Sequence, residues 1–228
     1  MKKPNKIAEI DPAIITDLPA DKNCPIYQQY KRSLIRFADE AIYIYSFKDK
    51  KLIYADGWEE TLGFKDDEIT LQQIIKQTDP SYLAFSHEIN AKTIGFLLSR
   101  KTRIKDYSFT VELKKIHKDG SVVPMEAKVG ILKLDENGEV DYIIGRFRIN
   151  RNMHLGIVMR YDVHGPDKEE FEKVINKAVQ KFLTISGKEK EALSYVAKGY
   201  SFKEIADKLS VSTSAIEKEY SLCIRDLM

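Results

Sequence analysis

Three helix start signals follow one another closely in the C-terminal segment, and they constrain the fold of this chain more than any other feature of its sequence. A serine followed three residues later by a glutamate can form a capping box, a signature of a helix N-terminus. Ser186 with Glu189 and Ser201 with Glu204 are two such pairs, and Ser212 is a third N-cap candidate. The sequence therefore predicts three short helices separated by tight turns.

The apolar residues between these signals recur at helical spacing, which supports the same three helices. Gly199 follows the first helix, where a left-handed C-cap is expected. A turn at residues 209–212 joins the last two helices, which is the arrangement of a helix-turn-helix. In that motif the second helix directs its N-terminal residues toward the major groove of DNA. The apolar residues are Ala192, Leu193, Val196 and Ala197, then Ile205, Ala206 and Leu209, then Ala215, Ile216 and Leu222.

The segment resembles the LuxR-type helix-turn-helix family, whose pattern runs Leu-Thr-x-Arg-Glu-x-Glu-Val-Leu, Gly-x-Ser-Asn-Lys-Glu-Ile-Ala-x-x-Leu and Ser-x-x-Thr-Val-Lys. The resemblance implies a small all-α domain over residues 184–228 that binds double-stranded DNA. It assigns phosphate or base contacts to Ser201, Lys203 and Ser212, and we add Ser214 and Lys218 because of their place on the last predicted helix. The matching residues are Glu189, Glu191, Leu193, Gly199, Ser201, Lys203, Glu204, Ile205, Ala206, Leu209 and Ser212.

The last predicted helix is more acidic than a DNA-reading helix is expected to be. Residues 212–228 carry two positive side chains, Lys218 and Arg225, against three negative ones, Glu217, Glu219 and Asp226, which gives a net charge of −1. DNA affinity depends largely on lysine and arginine side chains that neutralise phosphates. This charge balance therefore opposes tight binding, although the family pattern favours it.

Upstream of this segment the hydrophobic pattern is that of strands around a helical middle. A hairpin is predicted over residues 42–47 and 52–55, helical segments follow up to residue 100, and three further strands are predicted over 107–116, 122–133 and 140–149. Asp119-Gly120 and Asn137-Gly138 separate the last three strands, and both dipeptides are strong hairpin signals. This order indicates an α+β domain with one antiparallel sheet.

Three stretches of this region are similar to PAS sensory domains: Glu60 to Glu68, Lys118-Asp119-Gly120, and Asp135 to Gly138. The resemblance covers about residues 37 to 150. It implies a PAS-like sensor domain that holds a small-molecule ligand, or none, between its sheet and its helices. The aromatic residues of the region either line such a pocket or form an ordinary core, and the core is favoured. They are Tyr43, Tyr45, Tyr54, Trp58, Phe64, Phe85, Phe96, Tyr107 and Phe109.

The N-terminal part of the chain is expected to be an arm followed by a cap helix. Residues 1–24 contain several prolines and charges and are predicted to be extended. A helix is predicted from Pro25, which suits a first helical turn, to about Glu40. It either packs on the sensor domain, which with this helix is predicted to span residues 25–160, or forms a dimer contact. Its apolar stripe consists of Ile26, Tyr30, Leu34 and Phe37.

Residues 161–183 are predicted to be a linker and a connecting helix. Gly165-Pro166 is expected to interrupt regular secondary structure, and Asp167 with Glu170 is expected to cap the start of the helix. The apolar residues of this helix follow helical spacing, so they require another surface to bury against. That surface is either the helix-turn-helix or a second copy of the chain. The stripe consists of Phe171, Val174, Ile175, Ala178, Val179 and Phe182.

Two segments are rich in basic side chains. Residues 100–118 contain seven Lys or Arg against two acidic residues, and residues 146–160 contain four arginines and no acid. They form either the solvated face of the sheet or an additional surface that contacts phosphates. The alternation of polar and apolar residues favours the solvated face.

Composition and motifs argue against several other classes of protein. Neither a transmembrane segment nor a signal peptide is predicted, because no apolar run has the required length and none follows the N-terminal Met-Lys-Lys-Pro. Cys24 and Cys223 are far apart, which suits a reducing cytoplasm. The histidines lack metal-ligand spacing, a haem ligand at His87 is disfavoured, and no phosphate loop or catalytic motif is present. We therefore predict no enzyme activity, metal or cofactor.

Two hypotheses of different classes remain. The first is a transcriptional regulator in which the PAS-like domain senses a signal or mediates dimerisation, and a homodimer binds DNA at a two-fold site. The second is a protein-interaction or adaptor module that retains the helix-turn-helix fold and has lost DNA binding. It is motivated by Phe202, which replaces the family's Asn, by the acidic last helix, and by a chain that stops where the family usually adds a fourth helix. The first hypothesis is favoured.

Overall fold

Six strands form one antiparallel sheet in the computed structural model, which describes residues 18–152, 160–179 and 191–217 apart from residues 193 and 197. The order of the strands across the sheet is β2-β1-β5-β4-β3-β6. The chain divides into two compact units, one comprising Met1–Met153 and Met159–Val179 and the other His154–Val158 and Gln180–Met228. The strands are β1 (Glu40–Ser46), β2 (Lys51–Asp56), β3 (Ser108–Ile116), β4 (Val122–Leu134), β5 (Val140–Ile149) and β6 (Tyr161–His164).

In chain order, most helices of the first unit come between the hairpin β1–β2 and strand β3. Helices and strands therefore occur in separate runs, which confirms the predicted α+β class. Both predicted hairpin turns are present, with Gly120 and Gly138 in the left-handed region at φ +88° and +81°. The helices are α1 (Pro25–Ser33), α2 (Trp58–Leu62), α3 (Leu71–Lys76), α4 (Pro80–Leu98) and α5 (Lys168–Val179), with one 3-10 turn at Ile104–Asp106. The second unit contains α6 (Phe202–Leu209).

An aromatic cluster joins the sheet to α2 in the centre of the first unit. Trp58 is fully buried, its indole N–H donates to the carbonyl of Ile42 at 3.0 Å, and its ring centroid lies 5.3 Å from that of Phe147. Tyr43 lies directly opposite Gly145 in the pairing of β1 with β5. A side chain at Gly145 would place its Cβ 2.2 Å from the Tyr43 ring, so only glycine fits beneath this tyrosine.

Helix α1 is shorter than the predicted helix and buries a different residue. It ends at Ser33, because Leu34 is already extended with φ −94° and ψ 127°, and Glu40 begins β1. Tyr27, which was not part of the predicted stripe, is buried, and its hydroxyl donates to the carbonyl of Ala55 at 2.9 Å. The predicted stripe residues are at most half-buried, and Phe37 is 65% exposed. The helix therefore packs on the sheet along a narrow line centred on Tyr27.

The predicted linker is instead part of the sheet. Tyr161–His164 forms strand β6, which pairs with β3 from Ser108 opposite His164 to Val111 opposite Tyr161. Val163 is fully buried, whereas Asp162 and His164 on either side are exposed. Four residues are too few for their alternation to predict a strand. The segment becomes a strand because the edge of β3 provides hydrogen-bond partners for its backbone.

The apolar face of α5 is buried, and it packs on α4 of the same unit, a surface that neither predicted alternative named. Phe171 and Ile175 are fully buried, Ala178 and Val179 are nearly so, and Phe182 lies outside the described residues. The ring of Phe171 stacks on Phe96 of α4 with a centroid distance of 4.4 Å and an interplanar angle of 2°. The first unit accordingly continues to Val179, beyond the expected end of the sensor domain at residue 160.

Candidate functional site

The second unit is built on a small apolar core contributed by three helical stretches. Helical residues occur at 191–192, 194–196, 202–209 and 213–217, close to the predicted positions. Ala192, Ile205, Ala206 and Ile216 are each at most 2% exposed. Because these residues recur at helical spacing, each stretch contributes one apolar face to the same core. Tyr195, Val196, Phe202 and Leu209 pack around it and are partly buried.

Phe202 has a packing role in this core. It is the first residue of α6 and lies partly buried against the buried cluster, where an asparagine would leave apolar surface uncovered. Its departure from the family pattern is therefore accounted for by packing. Lys203 and Glu204 are both exposed on this first turn, and Lys203 forms no ion pair with another of the described residues.

The predicted capping box at the start of α6 is present. The backbone N–H of Ser201 donates to Glu204 Oε2 at 2.8 Å, and the Ser201 hydroxyl donates to the same oxygen at 2.7 Å. In return, the backbone N–H of Glu204 donates to Ser201 Oγ at 3.4 Å. The hydrogen bonds from the Ser201 side chain and backbone lower the pKa of Glu204. Ser201 therefore holds the start of α6, and it is exposed to solvent.

Ser212 caps the next helical stretch. Its Oγ accepts from the backbone N–H of Ala215 at 3.2 Å and lies 3.1 Å from the Oγ of Ser214. Both serines are exposed. Ser210 makes the turn between α6 and this stretch in the left-handed conformation, with φ +53°. The structure therefore brings Ser212 and Ser214 together, whereas the predicted contact Lys218 lies outside the described residues.

Two tyrosines and two lysines form a cluster that the sequence patterns do not reveal. The rings of Tyr195 and Tyr200 meet edge-to-face with centroids 5.5 Å apart. Lys208 Nζ lies 4.8 Å from the Tyr200 centroid and 5.5 Å from that of Tyr195, and Lys198 Nζ lies 5.6 Å from Tyr195. The turn that allows this arrangement contains Gly199, with φ +83° as predicted for a left-handed C-cap.

A buried lysine lies inside the first unit, in a segment whose composition predicts a solvated basic face. Lys115 is 3% exposed, and its Nζ donates to the carbonyl of Ile74 at 2.5 Å and to Thr78 Oγ1 at 2.9 Å. The ring of Phe147 lies 5.3 Å from Nζ. Lys115 follows Leu113, Val111 and Phe109 on the buried face of β3, so the strand alternation itself contained the signal.

The environment of Lys115 favours its neutral form. Burial lowers the pKa of Lys115 from its ordinary value to about 7, because the charged amine loses its hydration. The carbonyl of Ile74 belongs to the last turn of α3, where carbonyl groups have no partner within the helix. The amine therefore fastens the C-terminal end of α3 to the sheet, and it is a hydrogen-bonding group inside the core of the first unit.

The remaining candidate groups are a histidine on α4 and the aromatic set of the first unit. His87 is exposed on α4, consistent with a surface histidine. No cluster of three His, Cys, Asp or Glu side chains that could hold a metal ion occurs within the described ranges. Of the aromatic set, all but the half-buried Phe64 are buried, as an ordinary core requires. Among the described helices, none has the length and apolar character needed to cross a membrane.

The chain matches no family model and no curated protein, but its fold is similar to solved PAS structures. A PAS domain from Colwellia psychrerythraea is 16% identical, with 55% of this chain and 98% of that chain covered and a TM-score of 0.42. The PAS-B domain of Drosophila melanogaster Cycle with bound glycerol is 17% identical, with 48% and 99% covered and a TM-score of 0.37. The phage VqmA–DPO complex is 18% identical, with 84% and 77% covered and a TM-score of 0.38. These similarities concern the fold and identify no ligand or partner.

Proposed function

We propose that this chain is a transcriptional regulator with a PAS-like sensor domain and a C-terminal helix-turn-helix of the LuxR type that binds double-stranded DNA. The observation that carries the proposal is the side-chain capping of two successive helix starts, at Ser201 and Ser212, on either side of the tight turn at Ser210. The helix-turn-helix motif requires two short helices joined by such a turn. Both starts are exposed, and the N-terminal end of a helix favours negatively charged groups such as phosphates.

Within this proposal the exposed polar residues have different tasks. Lys203 supplies a positive charge for a phosphate, and Ser212 and Ser214 supply hydroxyls at the N-terminal end of the reading helix. Ser201 positions the start of α6 through its hydrogen bonds with Glu204, so it acts on DNA mainly through its neighbours. Lys218 completes the proposed set. The first unit senses a small molecule, the assembly is a homodimer, and the location is cytoplasmic.

One observation supports a second candidate function, that of a protein-interaction module. Glu217 is exposed at the end of the last described helical stretch, and Glu219 and Asp226 follow it in the sequence. A negative reading helix is repelled by phosphates, whereas it is suited to a basic protein surface. The two functions differ in their response to salt and to DNA, so one titration separates them.

A fluorescence-anisotropy titration of the full chain with genomic duplex fragments across a salt series tests the proposal. Affinity is expected to fall steeply with salt, since lysine contacts release counterions from DNA. Lys203→Glu is expected to weaken binding at least tenfold and to reduce the salt slope by about one phosphate contact or more. Lys31→Glu, at an exposed site on α1, makes the same change in net charge and is the matched control.

The two variants must differ for the proposed docking to stand. Equal affinities of Lys203→Glu and wild-type protein would exclude the assigned role of Lys203. Equal weakening of DNA binding by both variants would show that the loss of affinity comes from the change in net charge alone. Absence of binding by the folded wild-type chain at low salt, with and without candidate ligands, would favour the interaction module.

A further inference from the structure

A helix C-cap holds two tyrosine rings together on the surface of the second unit. The backbone N–H of Gly199 donates to the carbonyl of Val196 at 2.9 Å, and the backbone N–H of Tyr200 donates to the carbonyl of Tyr195 at 3.1 Å. These two hydrogen bonds, with Gly199 in the left-handed conformation, form a Schellman motif. In this motif the residue after the glycine contacts the residue five positions before it, so the backbone itself sets the ring of Tyr200 against that of Tyr195.

Two lysines lie against these rings and complete the tyrosine–lysine cluster. Nζ of Lys208 lies 4.8 and 5.5 Å from the two ring centroids, and the second lysine lies 5.6 Å from one of them. Neither lysine forms an ion pair with another of the described residues, and the carboxylate of Glu204, one turn before Lys208, accepts two hydrogen bonds from Ser201. Cation–π contacts therefore hold two charges in place without neutralising them. The members of the cluster are Tyr195, Lys198, Tyr200 and Lys208.

The tyrosine–lysine cluster lies on a different side of α6 from Lys203. Lys203 and Lys208 belong to the same helix, and their separation in the chain corresponds to about 140° around the helix axis at 3.6 residues per turn. The side that packs on the core holds Ile205 and Ala206. A molecule that binds the cluster therefore does not compete with one that binds Lys203.

The charges around the cluster match a single carboxylate better than a DNA duplex. Residues 191–208 contain three lysines and three acidic residues, so this part of the surface is neutral overall. DNA presents about one negative charge per 1.7 Å of its axis, and such a line of charge would also meet the exposed Glu191, Glu204 and Asp207. A carboxylate on a protein presents its charge at one point. The ring of Tyr200, which is 38% exposed, adds apolar surface, and tyrosines are frequent among the residues that contribute most to protein–protein binding.

We propose that the tyrosine–lysine cluster is a docking surface for an acidic segment of a partner protein, whose carboxylates lie against Lys198 and Lys208 while an apolar side chain covers Tyr200. The C-cap and the cation–π contacts already order the four side chains, so docking immobilises few rotatable groups. This surface goes beyond DNA binding, because the cluster contains none of the residues assigned to DNA. A regulator built in this way holds DNA and a partner protein at the same time.

Anisotropy of a short fluorescein-labelled peptide that repeats Asp-Asp-Phe, titrated with the full chain, tests the docking surface. The wild type is expected to bind this peptide and not one that repeats Lys-Lys-Phe. Lys198→Gln and Lys208→Gln each remove a partner of a carboxylate and are expected to weaken binding at least about fivefold, as is Tyr200→Ala, which removes the apolar contact. Lys203→Gln is the matched control, since it makes the same change at an exposed site of α6 outside the cluster, and it should leave peptide affinity unchanged. Circular dichroism verifies that each variant is folded.

Titration of the same samples with duplex DNA separates the docking surface from the proposed DNA site. Lys208→Gln is expected to retain the DNA affinity of the wild type, whereas Lys203→Gln is expected to lower it. Absence of peptide binding by the folded wild type at low salt, or equal weakening of peptide binding by Lys203→Gln, would overturn the docking surface.

Two further results would assign the cluster to a different occupant and so contradict an acidic partner. One is a loss of DNA affinity in Lys208→Gln as large as that in Lys203→Gln, which would make the cluster a DNA contact. The other is a wild-type dimer that Lys208→Gln dissociates in sedimentation velocity, which would make it a contact between two copies. A wild type that binds the peptide and no DNA would remove the proposed function and leave the docking surface in place.

Discussion

At the scale of single residues, the burial of Lys115 is the clearest case of a charged group used inside the fold. Its two acceptors, the Ile74 carbonyl and Thr78 Oγ1, lie at the junction of α3 and α4. The basic composition of residues 100–118 suggests a solvated surface, and for Lys115 that interpretation was wrong. Burial alternates along β3, and Lys115 lies on the same buried face as Phe109, Val111 and Leu113. The alternation therefore predicts that Lys115 is buried.

The pKa of Lys115 predicts how stability depends on pH. The folded state releases the proton near pH 7, whereas the unfolded chain holds it to about pH 10.5, so between these values the unfolded state binds more protons. The free energy of unfolding is therefore expected to rise with pH in this window, by about 1.4 kcal/mol per unit between pH 8 and 9.5. Urea denaturation at several pH values measures this slope.

Lys115→Met is expected to abolish this rise, since no titrating amine remains in the core. Its neighbour Lys114 is only half-buried, and Lys114→Met is expected to retain the rise. Identical slopes for the wild type and Lys115→Met would show that the amine stays charged in the folded protein.

At the scale of elements, strands and caps were predictable from sequence where local chemistry decides them. The Asp-Gly and Asn-Gly turns, strand β5 and the capping box at Ser201 all occur where they were predicted. Strand β6 and the packing of α5 were not predictable, because each depends on a partner distant in sequence. Tyr161–His164 has too few residues to indicate a strand by alternation alone, and an apolar helix face does not identify the surface that covers it.

The capping box makes a prediction for α6. Ser201→Ala removes the oxygen that accepts the Glu204 N–H and is expected to destabilise the second unit by about 1 kcal/mol. Ser194→Ala removes a hydroxyl inside a helical stretch, where it donates only to the carbonyl of Glu191, and is expected to have little effect. Urea denaturation followed by far-ultraviolet circular dichroism provides the comparison. A loss in Ser194→Ala as large as that in Ser201→Ala would argue against a specific role of the cap.

At the scale of the whole molecule, the two compact units have separate cores. Trp58, the single tryptophan of the sequence, lies in the first unit and is fully buried, so its fluorescence reports the unfolding of that unit. Ile205 is fully buried in the core of the second unit. A change in one core is therefore expected to leave the transition of the other nearly unchanged.

Ile205→Ala is expected to destabilise the second unit by about 2–5 kcal/mol. The loss should appear in circular dichroism, whereas the midpoint of the Trp58 fluorescence transition in urea should remain that of the wild type. Ile74→Ala removes most of a buried side chain of the first unit and is the matching change in that core. It should shift the midpoint of the Trp58 fluorescence transition. A common shift of both signals by Ile205→Ala would show that the units unfold as one cooperative body.

The pairing of β6 with β3 also determines where the first unit can be cut for separate study. A fragment that stopped at the end of β5 would leave the outer backbone groups of β3 without partners from Ser108 to Val111. It would also expose the ring of Phe96, which Phe171 covers. Open strand edges next to apolar surface promote association between molecules. Such a fragment is therefore expected to aggregate, and one that extends through Val179 to remain monodisperse.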